Sequence, residues 1–363
     1  MTTLDALLKT KGAAVSSERI QTLVYGFARS QLLFTALELG LFDAIGSLQQ
    51  AATLPTAAAI GSTLTQQGRR TDSRALTILL DGLIGIGLLH THQGGYHLPP
   101  DVACYLLRQS PQYLGGLVQH GKRLSETWQQ LSQVVSSGLP AGGAQSLAQI
   151  EEHFADLVQG LYVSNTNSAV RLAKVLGITA ASGGVPQNLH ILDIGGGSGV
   201  WSIALLEADA TNRATVVDLP SVTQVTRDTY ARHGLSERLT ILPGDMEVMP
   251  LPEEAFDMVL LANVCHTQGE PLVKALINKC ARALKPQGRL VIVDFIPDNE
   301  RAHAGWPLLF AVNLLVSSEE GQVYTQAQYK TWCEAANLVM IGQDRLEGDT
   351  QALVAQKWAD WAI

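Results

Sequence analysis

The sequence predicts an α/β protein: a parallel, doubly wound sheet in its C-terminal half, preceded by a mainly helical N-terminal domain. Two observations carry this. From residue 189 onward, short apolar runs alternate with helical patterns: "LHILDI", "ATVVD", "LTILPGD", "FDMVLLAN" and "RLVIVDF". That alternation is the signature of repeated βαβ units. Before it, apolar residues recur at helical spacing, and only one short stretch looks like a hairpin.

The elements follow in order. Residues 19–46 read as helix, with Leu23, Phe27, Leu33, Leu37 and Leu41 at helical spacing and Gly40 as a break. Residues 72–90 give another helix. "LLHTHQGGYHL" then reads as two short strands around a Gly94–Gly95 turn. Helices followed by a hairpin suggest a winged-helix unit. Residues 111–180 are expected to be mostly helical, with the Gly/Pro/Ser-rich segment 136–145 as a hinge. The expected division is 1–110 for the winged-helix-like domain, 111–185 for a helical linker contributing to a substrate pocket, and 186–363 for the sheet domain.

Composition narrows the function. The chain has 363 residues, 46% of them hydrophobic, and a formal net charge of −8. An acidic chain sets a field unfavourable to nucleic acid. The candidate recognition helix is also apolar after Arg74, so the winged helix reads as a dimerisation or scaffold unit. Four cysteines, Cys104, Cys265, Cys280 and Cys333, form no C-x-x-C pair, so neither a metal site nor a disulfide framework is expected. The first twenty residues hold no apolar signal core. The longest apolar run, residues 75–90, is too short to span a bilayer. The expectation is a cytoplasmic protein with no membrane insertion.

The chemistry is signalled by "GGGSG", residues 195–199, between the first strand of the sheet and a helix starting near Val200. Glycines let the backbone turn sharply and approach a ligand. The dinucleotide fingerprint needs a small residue at its sixth place, but Val200 or Ser202 stands there. What fits is D-x-G-x-G-x-G: Asp193, Gly195, Gly197 and Gly199. An acid ahead of the loop repels a pyrophosphate and suits a ligand with a cationic amino-acid end, such as S-adenosylmethionine. The second strand ends at Asp218, 23 residues past Gly195, near the spacing of a ribose-binding carboxylate. Leu219 follows it. The third strand runs into Gly244, Asp245 and Met246, where Asp245 suits the adenine amino group and Met246 its ring face. Each residue alone has an ordinary reading as turn or cap. Together they lie at strand ends on one edge of the sheet.

On these motifs the chain resembles the class I S-adenosylmethionine-dependent O-methyltransferases of the caffeate and hydroxyindole type and their bacterial natural-product relatives. "GFARSQLLFTALELGLFDAI" resembles the family's dimerisation helices, and residues 75–107 its winged-helix segment. "LDIGGGSG", "VVDLP" and "PGDM" resemble its cofactor motifs, and "EEGQVYTQAQYKTWCEAANL" its late helix. The resemblance implies a Rossmann-like catalytic domain with a reversed C-terminal hairpin. It also implies a homodimer formed through the N-terminal domains.

In the family the fourth strand ends in a motif like N-V-x-H-D-W, whose histidine deprotonates the acceptor hydroxyl. Asn263, Val264, Cys265 and His266 match it, while Thr267 and Gln268 replace the Asp-Trp. The resemblance makes His266 the candidate base and Asn263 a cofactor contact. Two acidic groups orient the histidine in relatives. Asp294 matches one; Val323 stands where the other is expected. The substrate pocket is expected from Trp306, Phe310, Asn313 and Leu314, at helical spacing after the fifth strand. Tyr162, Asn165 and His120 are expected from the helical linker. That lining suits an aromatic or polyketide-like acceptor.

The expected function is therefore methyl transfer from S-adenosylmethionine to a hydroxyl. Three alternatives stay open: C-methylation of a tetrapyrrole or quinone-type ring, which fits the lost second acid; a relative that keeps the cofactor without transferring methyl; and a winged-helix regulator that senses a small molecule.

Overall fold

The computed structural model describes residues 16–141, 147–178, 188–303 and 305–358. Residues 142–145 of the expected hinge and the expected 185/186 boundary lie outside them. The chain divides into two compact units, Met1–Lys122 and Arg123–Ile363.

The first unit is helical. Its elements are α1 (Glu18–Val24), α2 (Gly26–Leu39), α3 (Leu41–Gln50), α4 (Ala57–Gln66), α5 (Ser73–Gly85), the hairpin β1 (His90–His92) and β2 (Gly95–His97), and α6 (Pro100–Leu106). Gly40 ends α2 in the left-handed conformation, with φ 70°, where any Cβ would be strained. Asp72 caps α5 by accepting from the Ala75 N–H at 2.8 Å. That helix stops at Gly85, short of the expected residue 90. The hairpin turn is Gln93–Gly94, both at positive φ, so Gly95 pairs with His92 instead of turning the chain. Two central residues at positive φ are what the twist of a tight hairpin requires. Leu37, Leu41, Phe42, Ile45, Ile60, Leu64, Leu80 and Leu83 form this unit's core. Leu23 and Phe27, at the start of the helical pattern, are instead 69% and 66% exposed, beside exposed Ile20, Val24 and Tyr25. Helix α4 had no counterpart in the sequence reading, because its small residues (Ala57–Ala59, Gly61) blur the apolar period.

Helix α7 (Gly115–Trp128) crosses the boundary between the units. The second unit continues with α8 (Leu131–Ser137), α9 (Leu147–Val175), β3 (His190–Ile194), α10 (Val200–Ala208), β4 (Arg213–Asp218), α11 (Pro220–Arg232), β5 (Leu239–Pro243) and β6 (Phe256–Ala262). Then come α12 (Glu270–Ala283), β7 (Leu284–Phe295), α13 (Trp306–Ser317), α14 (Gln326–Ala335), β8 (Leu338–Arg345) and β9 (Thr350–Lys357). The strands form one sheet in the order β5-β4-β3-β6-β7-β9-β8. β3 to β7 run parallel. β9 pairs antiparallel with β7, and β8 with β9, which is the reversed hairpin.

Side chains alternate between the two faces of the sheet. Leu192, Ile194, Val259 and Leu261 pack toward α12 and α14, against Ile277, Cys280, Tyr329 and Trp332. Ile191, Val216, Met258 and Leu260 pack the other way, toward Leu172 of α9 and Ile203 and Leu206 of α10. Both faces being covered explains why the inner strands read as unbroken apolar runs. The strand order reverses between β3 and β6, and the crevice at such a switch point, beyond the C-terminal strand ends, is where ligands bind in open α/β sheets.

All four cysteines are free thiols, three of them buried. Among the described residues no single helix is long and apolar enough to cross a membrane.

Candidate active site

The chain leaves β3 through Gly195, Gly197 and Gly199, all at positive φ. At Gly199 an added Cβ would meet the Tyr230 ring at 2.5 Å, whereas at Gly197 it would meet nothing within 4 Å. The loop is held from behind. The Gly195 N–H donates to the Val217 carbonyl at 2.8 Å. The Gly197 N–H donates to Asp218 Oδ2 at 2.7 Å, and the Thr226 hydroxyl donates to the Gly197 carbonyl at 2.7 Å.

In front of the loop lies a cavity of about 610 Å³. Its wall includes Gly195, Gly197, Asp218, Leu219, Gly244, Asp245, Met246 and Asn263, together with Asn165 from α9. Eight residues singled out in the sequence as cofactor contacts thus face one space. Val158, Leu161 and Trp201 also line it. They were missed because each reads as an ordinary apolar helix position.

The wall is rich in acceptors. Asp218 takes the Gly197 and Leu219 N–H groups, one on each oxygen, both at 2.7 Å, and each oxygen keeps a further lone pair. Burial raises the Asp218 pKa against those two hydrogen bonds. Asn263 is left-handed, with φ 57°, and its Oδ1 is buried without a hydrogen-bond partner. No lysine or arginine is among the lining residues. Carboxylates and an unpaired amide oxygen ask for N–H and O–H donors, and with no lysine or arginine beside them they disfavour a pyrophosphate. S-adenosylmethionine fits: it brings an ammonium, a ribose and an adenine amino group, and carries a sulfonium.

Asp193 is not in this wall. Its carboxyl lies under the loop, close enough to Gly196 that an added Cβ there would sit 3.0 Å from Asp193 Cγ. Oδ2 accepts from the Ser202 hydroxyl at 2.5 Å, and that hydroxyl accepts from Tyr230 at 2.8 Å. Oδ1 is buried and unpartnered. Burial pushes the Asp193 pKa up to about 7, opposed by the Ser202 hydrogen bond. The residue sits on the α10/α11 side of its strand, which points it at those helices and away from the cavity.

His266 lies on a single 3-10 turn, Cys265–Thr267, just past β6. Its Nδ1 is 2.6 Å from Asp294 Oδ1. A carboxylate only accepts, so Nδ1 carries the proton and the lone pair is left on Nε2. Among the described residues nothing hydrogen-bonds Nε2. His266 is not itself in the cavity wall, but its neighbours Val264, Thr267 and Gln268 are. Asp294 also accepts from the Phe295 N–H at 2.8 Å and, on Oδ2, from the Tyr329 hydroxyl at 3.2 Å. Burial holds the Tyr329 phenol well above its usual pKa, with Cys265 and Asp294 adding to the effect, so it stays a donor.

Val323 is buried and brings no charge, but its segment still supports the histidine. The Gln322 N–H donates to the His266 carbonyl at 2.9 Å, and the Tyr324 hydroxyl donates to the Gln268 carbonyl at 2.6 Å. Sequence reasoning missed Tyr329. The available signal was the capping box Thr325-x-x-Gln328, which fixes the start of α14 and so where Tyr329 falls.

The expected substrate residues divide. Phe310 meets the His266 ring edge-on at 4.9 Å, Phe295 lies nearly parallel to it at 6.2 Å, and Trp306 packs on Phe310 at 5.9 Å. Asn313 instead accepts from the Trp128 indole at 3.1 Å, and Leu314 is buried. Tyr162 does not line the cavity; its hydroxyl is 2.6 Å from His233 Nε2. The aromatic surface beside His266 therefore comes from α13 and the end of β7, without the α9 tyrosine. His120 lies in the first unit. Among the described residues no group of three or more His, Cys, Asp or Glu could hold a metal ion.

A Rossmann-like sheet closed by a reversed hairpin, with an acceptor-lined cavity at its switch point, defines a class I S-adenosylmethionine-dependent methyltransferase. Residues 147–337 match the O-methyltransferase domain and residues 21–108 the O-methyltransferase dimerisation domain. The chain belongs to the O-methyltransferase family those domains define, and is an S-adenosylmethionine-dependent enzyme. It is 27% identical to 3-hydroxy-5-methyl-1-naphthoate 3-O-methyltransferase of Streptomyces sahachiroi, over 86% of this chain and 87% of that protein. It is 28% identical to bovine (Bos taurus) acetylserotonin O-methyltransferase, over 92% and 95%. Its fold matches the crystal structure of human N-acetylserotonin methyltransferase in complex with S-adenosylmethionine, with a TM-score of 0.80 at 23% identity, covering 96% and 99% of the two chains.

Proposed function

We propose that this enzyme methylates a hydroxyl on an aromatic or polyketide-like small molecule, with His266 as general base. The observation that carries the reading is the His266 Nδ1–Asp294 Oδ1 pair at 2.6 Å. It fixes the tautomer and leaves Nε2 free to take a proton. Bound S-adenosylmethionine supplies an electrophilic methyl group. Gly197, Asp218, Asp245, Met246 and Asn263 hold the cofactor, and Phe310, Phe295 and Trp306 give a flat acceptor an apolar surface beside the base. Nε2 takes the hydroxyl proton, Asp294 stabilises the resulting imidazolium, and Tyr329 keeps Asp294 in place. A phenol, with a pKa of about 10, is mostly protonated at neutral pH, so such a base is useful.

Relatives support the acceptor class by their names: O-methyltransferases of a hydroxynaphthoate, of acetylserotonin, and of tetracenomycin polyketide synthesis at the 8-position. We further propose that residues 111–185 contribute to the acceptor pocket and that the enzyme is a homodimer through its dimerisation domain. Four free thiols suit a reducing cytoplasm.

The test is incubation with S-adenosylmethionine carrying a deuterated methyl group and a panel of hydroxylated aromatic and polyketide acceptors. Products are read by mass spectrometry, with His266→Gln alongside. An O-methyl product lost by 10²-fold or more in the variant supports the reading. A product labelled on carbon, or one formed equally by the variant, refutes it.

A further inference from the structure

Tyr162 lies outside the cavity, yet it belongs to a hydrogen-bonded chain that joins three walls of that cavity. Its hydroxyl is 2.6 Å from His233 Nε2, and His233 Nδ1 is 2.7 Å from Glu207 Oε1. The Glu207 carboxylate accepts, so Nδ1 carries the proton and Nε2 accepts from the phenol. Burial, reinforced by the Glu207 charge, raises the Tyr162 pKa, which keeps the phenol a donor.

The three residues sit on three helices, and each helix presents other residues to the cavity. α9 supplies Val158, Leu161 and Asn165; α10 supplies Val200 and Trp201; α11 supplies Pro220 and Ser221. Glu207 is near the end of α10 and His233 caps α11. Toward its C-terminus α9 is anchored by burial of Ala169, Leu172 and Ala173. The stretch that faces the cavity, Val158–Asn165, is tied to α10 and α11 through Tyr162. It has a second polar tie in Gln159, whose Oε1 accepts from Arg232 at 3.1 Å.

We propose that Tyr162, His233 and Glu207 are positioning residues that hold α9 against the cofactor cavity and thereby set how long the cofactor and its demethylated product stay bound. The proposal rests on the cavity being the cofactor's. The chain touches neither ligand; it acts through Val158, Leu161 and Asn165. A neutral hydrogen bond of this kind contributes modestly, so its loss loosens the helix without unfolding the unit.

The experiment measures binding of S-adenosylmethionine and S-adenosylhomocysteine to the full-length protein by calorimetry, and release by stopped-flow displacement of pre-bound ligand followed by intrinsic tryptophan fluorescence, to which Trp201 in the wall contributes. Tyr162→Phe and Glu207→Ala weaken both ligands about threefold to tenfold, mainly through faster release. Glu207→Gln, which keeps an acceptor for His233 Nδ1, stays within twofold of the parent. The Tyr162→Phe/Glu207→Ala double variant is no worse than the weaker-binding of the two single variants, because the residues act as one unit. Unchanged ligand affinity in Tyr162→Phe, with or without a lower melting temperature, overturns the proposal and leaves a merely structural tie. Asp218→Ala separates the premise from the proposal: if it binds both ligands normally, the cavity is not the cofactor's and both fall.

Discussion

The Tyr329 hydroxyl donates to Asp294 Oδ2 while His266 Nδ1 holds Asp294 Oδ1. The carboxylate beside His266 is thus gripped on both oxygens, the second time by a buried phenol. Tyr329→Phe keeps the ring and its packing but frees Oδ2. We expect methyl transfer to slow by about threefold to thirtyfold with cofactor affinity unchanged. Single-turnover rates and cofactor titration check this together. Equal rates would remove Tyr329 from the orienting set.

Asn263 carries two costs in the ligand-free fold: a left-handed backbone and a buried acceptor with no donor. Asn263→Gly removes both. The ligand-free protein is expected to gain about 1 kcal/mol of stability while its affinity for S-adenosylmethionine falls roughly tenfold. Thermal melts with and without cofactor measure both effects. A loss of stability without cofactor would contradict the assignment of strain.

Asp193 makes stability depend on pH in a defined direction. Its folded pKa, about 7, lies above the ordinary 3.8. Between those values the folded state holds a proton that the unfolded chain has released, so this residue's contribution falls as pH rises through the window. Asp193→Asn removes the charge. The variant's advantage over the parent should be small near pH 4 and grow to the order of 2–4 kcal/mol above pH 7. Denaturant melts of ligand-free protein at pH 4.5, 6 and 8 would show it, and a pH-independent difference would count against a carboxyl protonated by burial.

Leu23 and Phe27 expose large apolar side chains on α1 and α2, within the segment that matches the dimerisation domain. A Leu23→Glu/Phe27→Glu double variant is expected to raise the dissociation constant of the proposed dimer at least about a hundredfold. Sedimentation velocity at micromolar concentration reads the result. A dimer that survives would place the interface elsewhere.

The five parallel strands were legible in the sequence because most of them are buried on both faces and the glycine loop is local chemistry. β8 and β9 were not read from their residues, because Gln343 and Asp344 interrupt β8 on an exposed edge and β9 is a short apolar run between glutamines. The cavity-facing residues at strand ends were legible through order and spacing, since βαβ topology brings strand ends to one edge. What spacing cannot give is the direction a side chain takes. Asp193 and Asp218 look alike as acids flanking a loop, yet one turns under it and the other faces the cavity. Tyr162 and Asn165 stand three residues apart on α9, yet only Asn165 reaches the cavity. Those outcomes depend on strand pleat and helix angle, which neighbours in space decide.

The reversed hairpin has a consequence for compliance. By laying β9 beside β7, it places the strand that carries Asp294 inside the sheet, with Asp294 paired to Gln351 of β9 on one side and β6 running alongside as far as Val293 on the other. β5, which leads into Gly244 and Asp245, has a neighbour on one side only. Backbone amides of β7 around Asp294 should exchange with solvent only through opening of the whole sheet, while those of β5 exchange by local fraying. On the proposed roles, the enzyme would be stiff where a proton must be placed and pliant where an adenine must come and go.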